Sequence, residues 1–238
     1  MRSALICLWL LVPAAVAAFH YGPGQEKLRL DDAATRLRQA EALASRQEWS
    51  DVVESYDGAL SLLPSSDVSS ARRIRLERAK AQMLSAHLPE AYNELSSLSE
   101  ELAADKQAPS EIVDETRSAM ATAEYYVTWL MRLEGRPRDD WEPPIESSRQ
   151  NYRLLAEQAA ARGDETAGEK HREDLEAAIR LARMDLSELQ ALPLPSQCQG
   201  CNSGKCKGCK KIGNRPNSSE KKDGRGASSG PPADNRGS

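Results

Sequence analysis

Phenylalanine occurs once in the 238 residues, and aromatic residues together make up only 5% of the chain. A β-sandwich fills its core with aromatic and β-branched side chains, so this shortage points towards close helix packing through alanine and leucine. Histidine occurs three times, at His20, His87 and His171, scattered along the chain rather than grouped for acid–base work. Beyond the first twenty residues there is no long apolar run, which excludes a chain that threads a bilayer repeatedly. Cysteine is confined to Cys7 and a C-terminal group of four. The carboxylates recur at surface-helix spacing with no distinguishing pair, and no nucleophile set accompanies them, so the expectation is a protein that is not an enzyme. The length accommodates one or two domains.

Residues 1–18 have one basic residue, Arg2, then an apolar run from Ala4 to Val12, then Pro13 and small residues. Ala15 with Ala17, or Val16 with Ala18, provides the small-x-small pattern of a signal-peptidase site, so export with cleavage near Ala17 or Ala18 is expected. The apolar stretch is shorter than the roughly 20 residues that span a bilayer, leaving an uncleaved anchor as the only membrane contact to weigh. The expected location is periplasmic or extracellular, and Cys7 leaves with the leader. Residues 19–25 read as a linker.

From 26 to 192 apolar residues recur at three- and four-residue spacing. Ile112, Thr116, Ala119, Met120, Ala123, Val127, Leu130 and Met131 form one stripe. Ile145, Tyr152, Leu155, Ala156 and Ala159 form a second, and Leu175, Ala178, Ile179, Ala182, Leu186 and Leu189 a third. Helix breakers separate the stripes and predict helices near 26–47, 49–63, 67–86, 89–105, 110–134, 143–162 and 164–191. The three prolines of GRPRDDWEPP, Gly135 to Pro144, predict the longest interruption. Arg162-Gly163-Asp164 spells an adhesion tripeptide, but at a helix junction it reads as a terminator followed by a cap. Tyr125, Tyr126, Trp129 and Trp141 read as packing residues. The expected fold is all-α, with antiparallel helical hairpins stacked as a short solenoid or an irregular bundle.

Self-similarity refines this. In Arg46 to Pro64, Trp49, Val52, Tyr56, Ala59 and Pro64 occur at the spacing of the second helix of a tetratricopeptide repeat, with Ala40 at the small position of the preceding helix. A shift of 39 residues brings Leu88, Ala91, Leu95, Leu98 and Ala79 into those places. Residues 33–105 thus resemble about two degenerate units of the tetratricopeptide family. They depart from it in the extra residues supplied by Ser65 to Ser70, in Arg36 and Arg75 at bulky apolar positions, and in Ala103 for the closing proline. The resemblance implies a stacked helical scaffold whose inner face binds a protein or peptide partner. Arg72, Arg73, Arg75, Arg78 and Lys80 of the third helix supply positive charge for an acidic peptide, against the alternative of a solvated face balanced by glutamates.

After Leu192 the character changes. Residues 193–212 hold Cys198, Cys201, Cys206 and Cys209 as two C-x-x-C pairs four residues apart. Four thiolates suit tetrahedral zinc, and the pairs weakly resemble zinc knuckles, but no β-hairpin fits the gap. In an exported protein the same cysteines also suit disulfides, mixed redox states or cross-linking to a partner. Lys205, Lys207, Lys210 and Lys211 favour thiolates. A metal-handling or redox role for this segment is the alternative to the scaffold. Residues 213–238, rich in Gly, Ser, Pro and charge, are expected to be disordered. Asn217-Ser218-Ser219 matches a glycosylation acceptor. The net charge of −4 conceals +1 in residues 1–18, −11 in 19–192 and +6 in 193–238; an acidic body on an exported chain argues against nucleic acid as a partner.

Overall fold

In the computed structural model, the residues described are Trp9, Val12 and 23–204. The rest of the expected leader, residues 19–22, Cys206, Cys209 and the expected disordered tail lie outside them. Among the described residues there are eight α-helices and no strand. They are α1 Pro23–Ser45, α2 Trp49–Leu62, α3 Val68–Leu84, α4 Leu88–Ala104, α5 Ser110–Leu133, α6 Arg138–Ala161, α7 Glu165–Arg183 and α8 Leu186–Ala191, followed by a single 3₁₀ turn at Ser196–Cys198. None is long and apolar enough to cross a membrane.

The chain forms two compact units, Met1–Ile74 and Arg75–Ser238. In the first, α1 packs on α2. Ala40, Val52 and Ala59 are fully buried there, and their small size lets the helices approach. The aliphatic stem of Arg36 covers Gly58, with Cδ at 3.6 Å from where a β-carbon would stand. An arginine thereby does the covering work of a bulky apolar residue while its head stays in water.

In the second unit α4, α5, α6 and α7 pack consecutively. Its core joins Leu76 and Ala79 of α3, Leu88 to Leu102 of α4, most of α5, and Tyr152, Leu155, Ala178 and Leu181 of α6 and α7. From Ala123 to Arg132 every residue of α5 is buried, so the helix is surrounded rather than one-sided. Tyr125 meets Tyr126 edge-on at 5.2 Å between ring centres and Trp129 at 6.1 Å.

Four hairpin turns share one design. Gln47, Ala86, Gly135 and Gly163 adopt left-handed φ angles of 61, 62, 71 and 74°. In each turn the next residue's N–H donates to a carbonyl five positions back: Glu48 to Leu43, His87 to Gln82, Arg136 to Met131 and Asp164 to Ala159, at 2.9 to 3.1 Å. The two turns built without glycine are 39 residues apart.

Three boundaries differ from expectation. Helix α1 begins at Pro23, within the expected linker, because proline's fixed φ suits a first helical turn. Helix α6 begins at Arg138, and Pro143 and Pro144 lie inside it. They remove the N–H partners of two carbonyls near the start, while Pro137 caps the helix, Trp141 lies 4.8 Å under the Arg132 guanidinium, and Ile145 and Ser148 are buried. The expected helix over 164–191 is two helices. Asp185 accepts from the Glu188 N–H at 2.8 Å while Glu188 reaches back to the Asp185 N–H at 3.0 Å, a capping box that starts α8. This break leaves Leu186 exposed, and the buried face of α7 runs through Asp174, Ala177, Ala178 and Leu181. At Arg162-Gly163-Asp164 the aspartate caps α7, accepting the Ala167 N–H at 3.0 Å.

Candidate functional site

A cleft of about 260 Å³ opens in the second unit between α3, α5, α6 and α7. Its apolar lining includes Met83, Leu84, Ala119 and Leu155. Ser118, Thr122 and Tyr126 face it at helical spacing along α5. Beside it, Tyr152 is held by a 2.9 Å hydrogen bond with Thr122, and its ring stacks on His171 at 6.4 Å. The charged lining is balanced: Lys80, Lys170 and Arg162 against Asp114, Glu115 and Asp174. Arg162 Nη1 donates to Asp114 Oδ2 at 2.7 Å.

Of the five cations of α3 expected to attract a partner, Arg75 and Arg78 do not line this cleft and Lys80 does. Arg72 and Arg73 belong to the first unit, and the other three to the second. Arg75 donates to Glu94 at 2.5 Å and to Glu101 at 2.6 Å, and Arg78 donates to Glu94 at 2.7 Å, so both are matched by glutamates of α4. Their mutual hydrogen bonds hold Arg75 more firmly protonated despite its partial burial. Lys80 does line the cleft and also donates to Glu77 at 3.0 Å. The acidic-peptide attraction expected of this helix is thus opposed locally by carboxylates that its sequence alone does not place.

Of the four tail cysteines, Cys198 and Cys201 are described, and both are buried in the core around α5. The 3₁₀ turn places Cys198 Sγ 3.8 Å from the Tyr126 carbonyl oxygen. Burial pushes the Cys198 thiol well up, the opposite of the thiolate-favouring effect expected from the nearby lysines. Both sulfurs pack among apolar residues of the core, and the other two proposed ligands, Cys206 and Cys209, lie outside the described residues. Among the described residues, no group of three or more His, Cys, Asp or Glu side chains is arranged to hold a metal ion.

Sequence reasoning places Glu124 on a solvated face, yet it is 4% exposed and burial raises its carboxyl to about 7, against lowering hydrogen bonds from Ser147 and Asn151. The available signal is its position between Ala123 and Tyr125, inside the most apolar run of α5. The cleft itself has no local signature, because four separate helices line it.

The chain matches no family model, and no curated protein or solved structure shows significant similarity to it.

Proposed function

We propose that the protein is an exported, non-enzymatic helical scaffold that binds a protein or peptide partner, with the cleft of the second unit taking one apolar side chain of that partner. The supporting observation is the cleft's pairing of an apolar strip, from Met83 to Leu155, with a charged lining of both signs. An apolar anchor buried in such a groove supplies affinity, and the polar lining fixes the direction of the flanking backbone. The balance of charges favours an anchor of neutral character over a strongly acidic segment. Export rests on the leader-like residues 1–18.

Peptide selection on the full mature chain tests the binding reading, with Ser118→Trp as a counter-selection variant that obstructs the cleft. Convergent peptides with a shared apolar residue, retained by the parent and lost by the folded variant, are the expected result. Equal retention by both proteins, or no convergence, overturns the assignment. N-terminal sequencing of secreted protein should begin near Phe19, and an intact Met1 would contradict cleavage.

A further inference from the structure

A second hollow of about 270 Å³ lies on α5, bounded also by α4 and α6. Its lining includes Leu102 and Met120, which give it an apolar part, and Ser99, Thr116, Glu124 and Asn151, which give it a polar part. Glu124 is almost wholly buried, with hydrogen bonds from Ser147 and from Asn151, whose Nδ2 donates at a long 3.5 Å. Ser99 Oγ and Thr116 Oγ1 are buried without a hydrogen-bond partner, and Thr116 as a residue is only 1% exposed. A buried hydroxyl left in that state forfeits about 1 to 3 kcal/mol. Two such hydroxyls beside one carboxylate describe a site built for something that donates.

Every oxygen named here can accept. A primary ammonium brings three N–H donors and no acceptor, so it matches one carboxylate and two hydroxyls, while its alkyl stem matches Leu102 and Met120. The charged and titratable groups around Glu124 come from three helices. From α4 come Glu100, which also lines the hollow, and the Tyr92 phenol, which burial and, second, Glu124 hold protonated. From α5 comes Arg117, whose guanidinium donates to Asp114 at 3.2 Å. The α6 lining is neutral, Ser147 and Asn151.

We propose that this hollow binds a primary alkylammonium group, with Glu124 as its counter-ion and Ser99 and Thr116 as its further acceptors. The group arrives on a free short-chain amine or as a lysine side chain of a partner. The site is separate from the cleft assigned to an apolar anchor. Binding requires the ionised carboxylate, so it strengthens as pH rises through the Glu124 range near 7 and levels off above it.

Calorimetric titration of the full chain with pentylamine, and in parallel with a short peptide containing one lysine, tests this, with pentanol as the uncharged control. Saturable binding of pentylamine alone identifies a free amine as the source, and binding of the peptide alone identifies a lysine side chain. In either case Glu124→Gln, shown folded by its circular dichroism, should weaken binding by at least about tenfold and abolish the pH dependence. Thr116→Val, which keeps the shape and removes one acceptor, should weaken it by about three- to tenfold. No binding of either probe, equal binding of pentanol, or unchanged affinity in folded Glu124→Gln overturns the proposal.

Discussion

Ser203 donates both its backbone N–H, at 2.8 Å, and its hydroxyl, at 2.6 Å, to the carboxylate of Glu134, 69 residues earlier at the C-terminal end of α5. This two-pronged clasp fastens the first half of the cysteine segment across the end of the helical core. Two left-handed glycines complete the path: a β-carbon on Gly200 would stand 3.3 Å from Ala86, and one on Gly204 would stand 2.9 Å from Pro89. The clasp and the close approach together bury Cys198 and Cys201.

Loosening this fastening should expose the thiols. Gly204→Ala combines a steric conflict with an unfavourable left-handed φ of 70°, and Glu134→Gln replaces a charged acceptor. In the parent, alkylating reagents should modify Cys198 and Cys201 slowly until denaturant is added. Both variants should raise their native-state modification rates, read by mass spectrometry after proteolysis, and Glu134→Gln should lower stability by about 1 to 2 kcal/mol. Unchanged thiol protection in Gly204→Ala would show that the clasp does not control access.

Arg132 ties the end of α7 to α5. Its guanidinium donates to the Leu181 and Met184 carbonyls while lying over the Trp141 ring. These are carbonyls at the end of α7, where a cation also opposes the helix dipole. Arg132→Met removes the charge and orphans both acceptors. A loss of about 2 to 4 kcal/mol in denaturant unfolding is expected, and Arg132→Lys should recover only part of it because an ammonium lacks the planar fork.

Glu124 gives stability a distinct pH dependence. Its carboxyl is raised to about 7 in the folded chain against an ordinary value of 4.5, with burial as the main cause. Between those values the folded state holds a proton that the unfolded state releases, so this group's contribution is greatest below pH 4.5 and falls as pH rises to about 7. The full difference corresponds to about 3 kcal/mol. Glu124→Gln should therefore be more stable than the parent at pH 8, and the two should converge towards pH 4. Parallel stability curves for parent and variant across this interval would contradict the buried-carboxyl assignment.

The left-handed turn residues offer a stabilising change. Gln47 is exposed at φ 61°, a conformation that its β-carbon disfavours and glycine adopts freely. Gln47→Gly should raise stability by about 0.5 to 1 kcal/mol, measured by urea unfolding. Ala86→Gly should gain less, because the Ala86 methyl also packs near Gly200.

The sequence by itself determined the all-α class and most helix boundaries. Apolar spacing of three and four, punctuated by Pro64, Pro109 and Gly163, encodes them locally, and the same local chemistry placed the Asp164 cap. Residues 138–142 escaped this reading because proline's local signal argues for a break, whereas packing around Trp141, Ile145 and Ser148 favours continuing the helix. Only the tertiary structure decided which polar groups lie together. Glu94 and Glu101 meet Arg75 from another helix, Glu124 is enclosed from α4 and α6, and Ser203 reaches Glu134 across 69 residues. A helix's own periodicity tells which face is apolar but not which neighbour covers it. The state of a buried charge depends on that neighbour, through the water it removes and the hydrogen bonds it supplies.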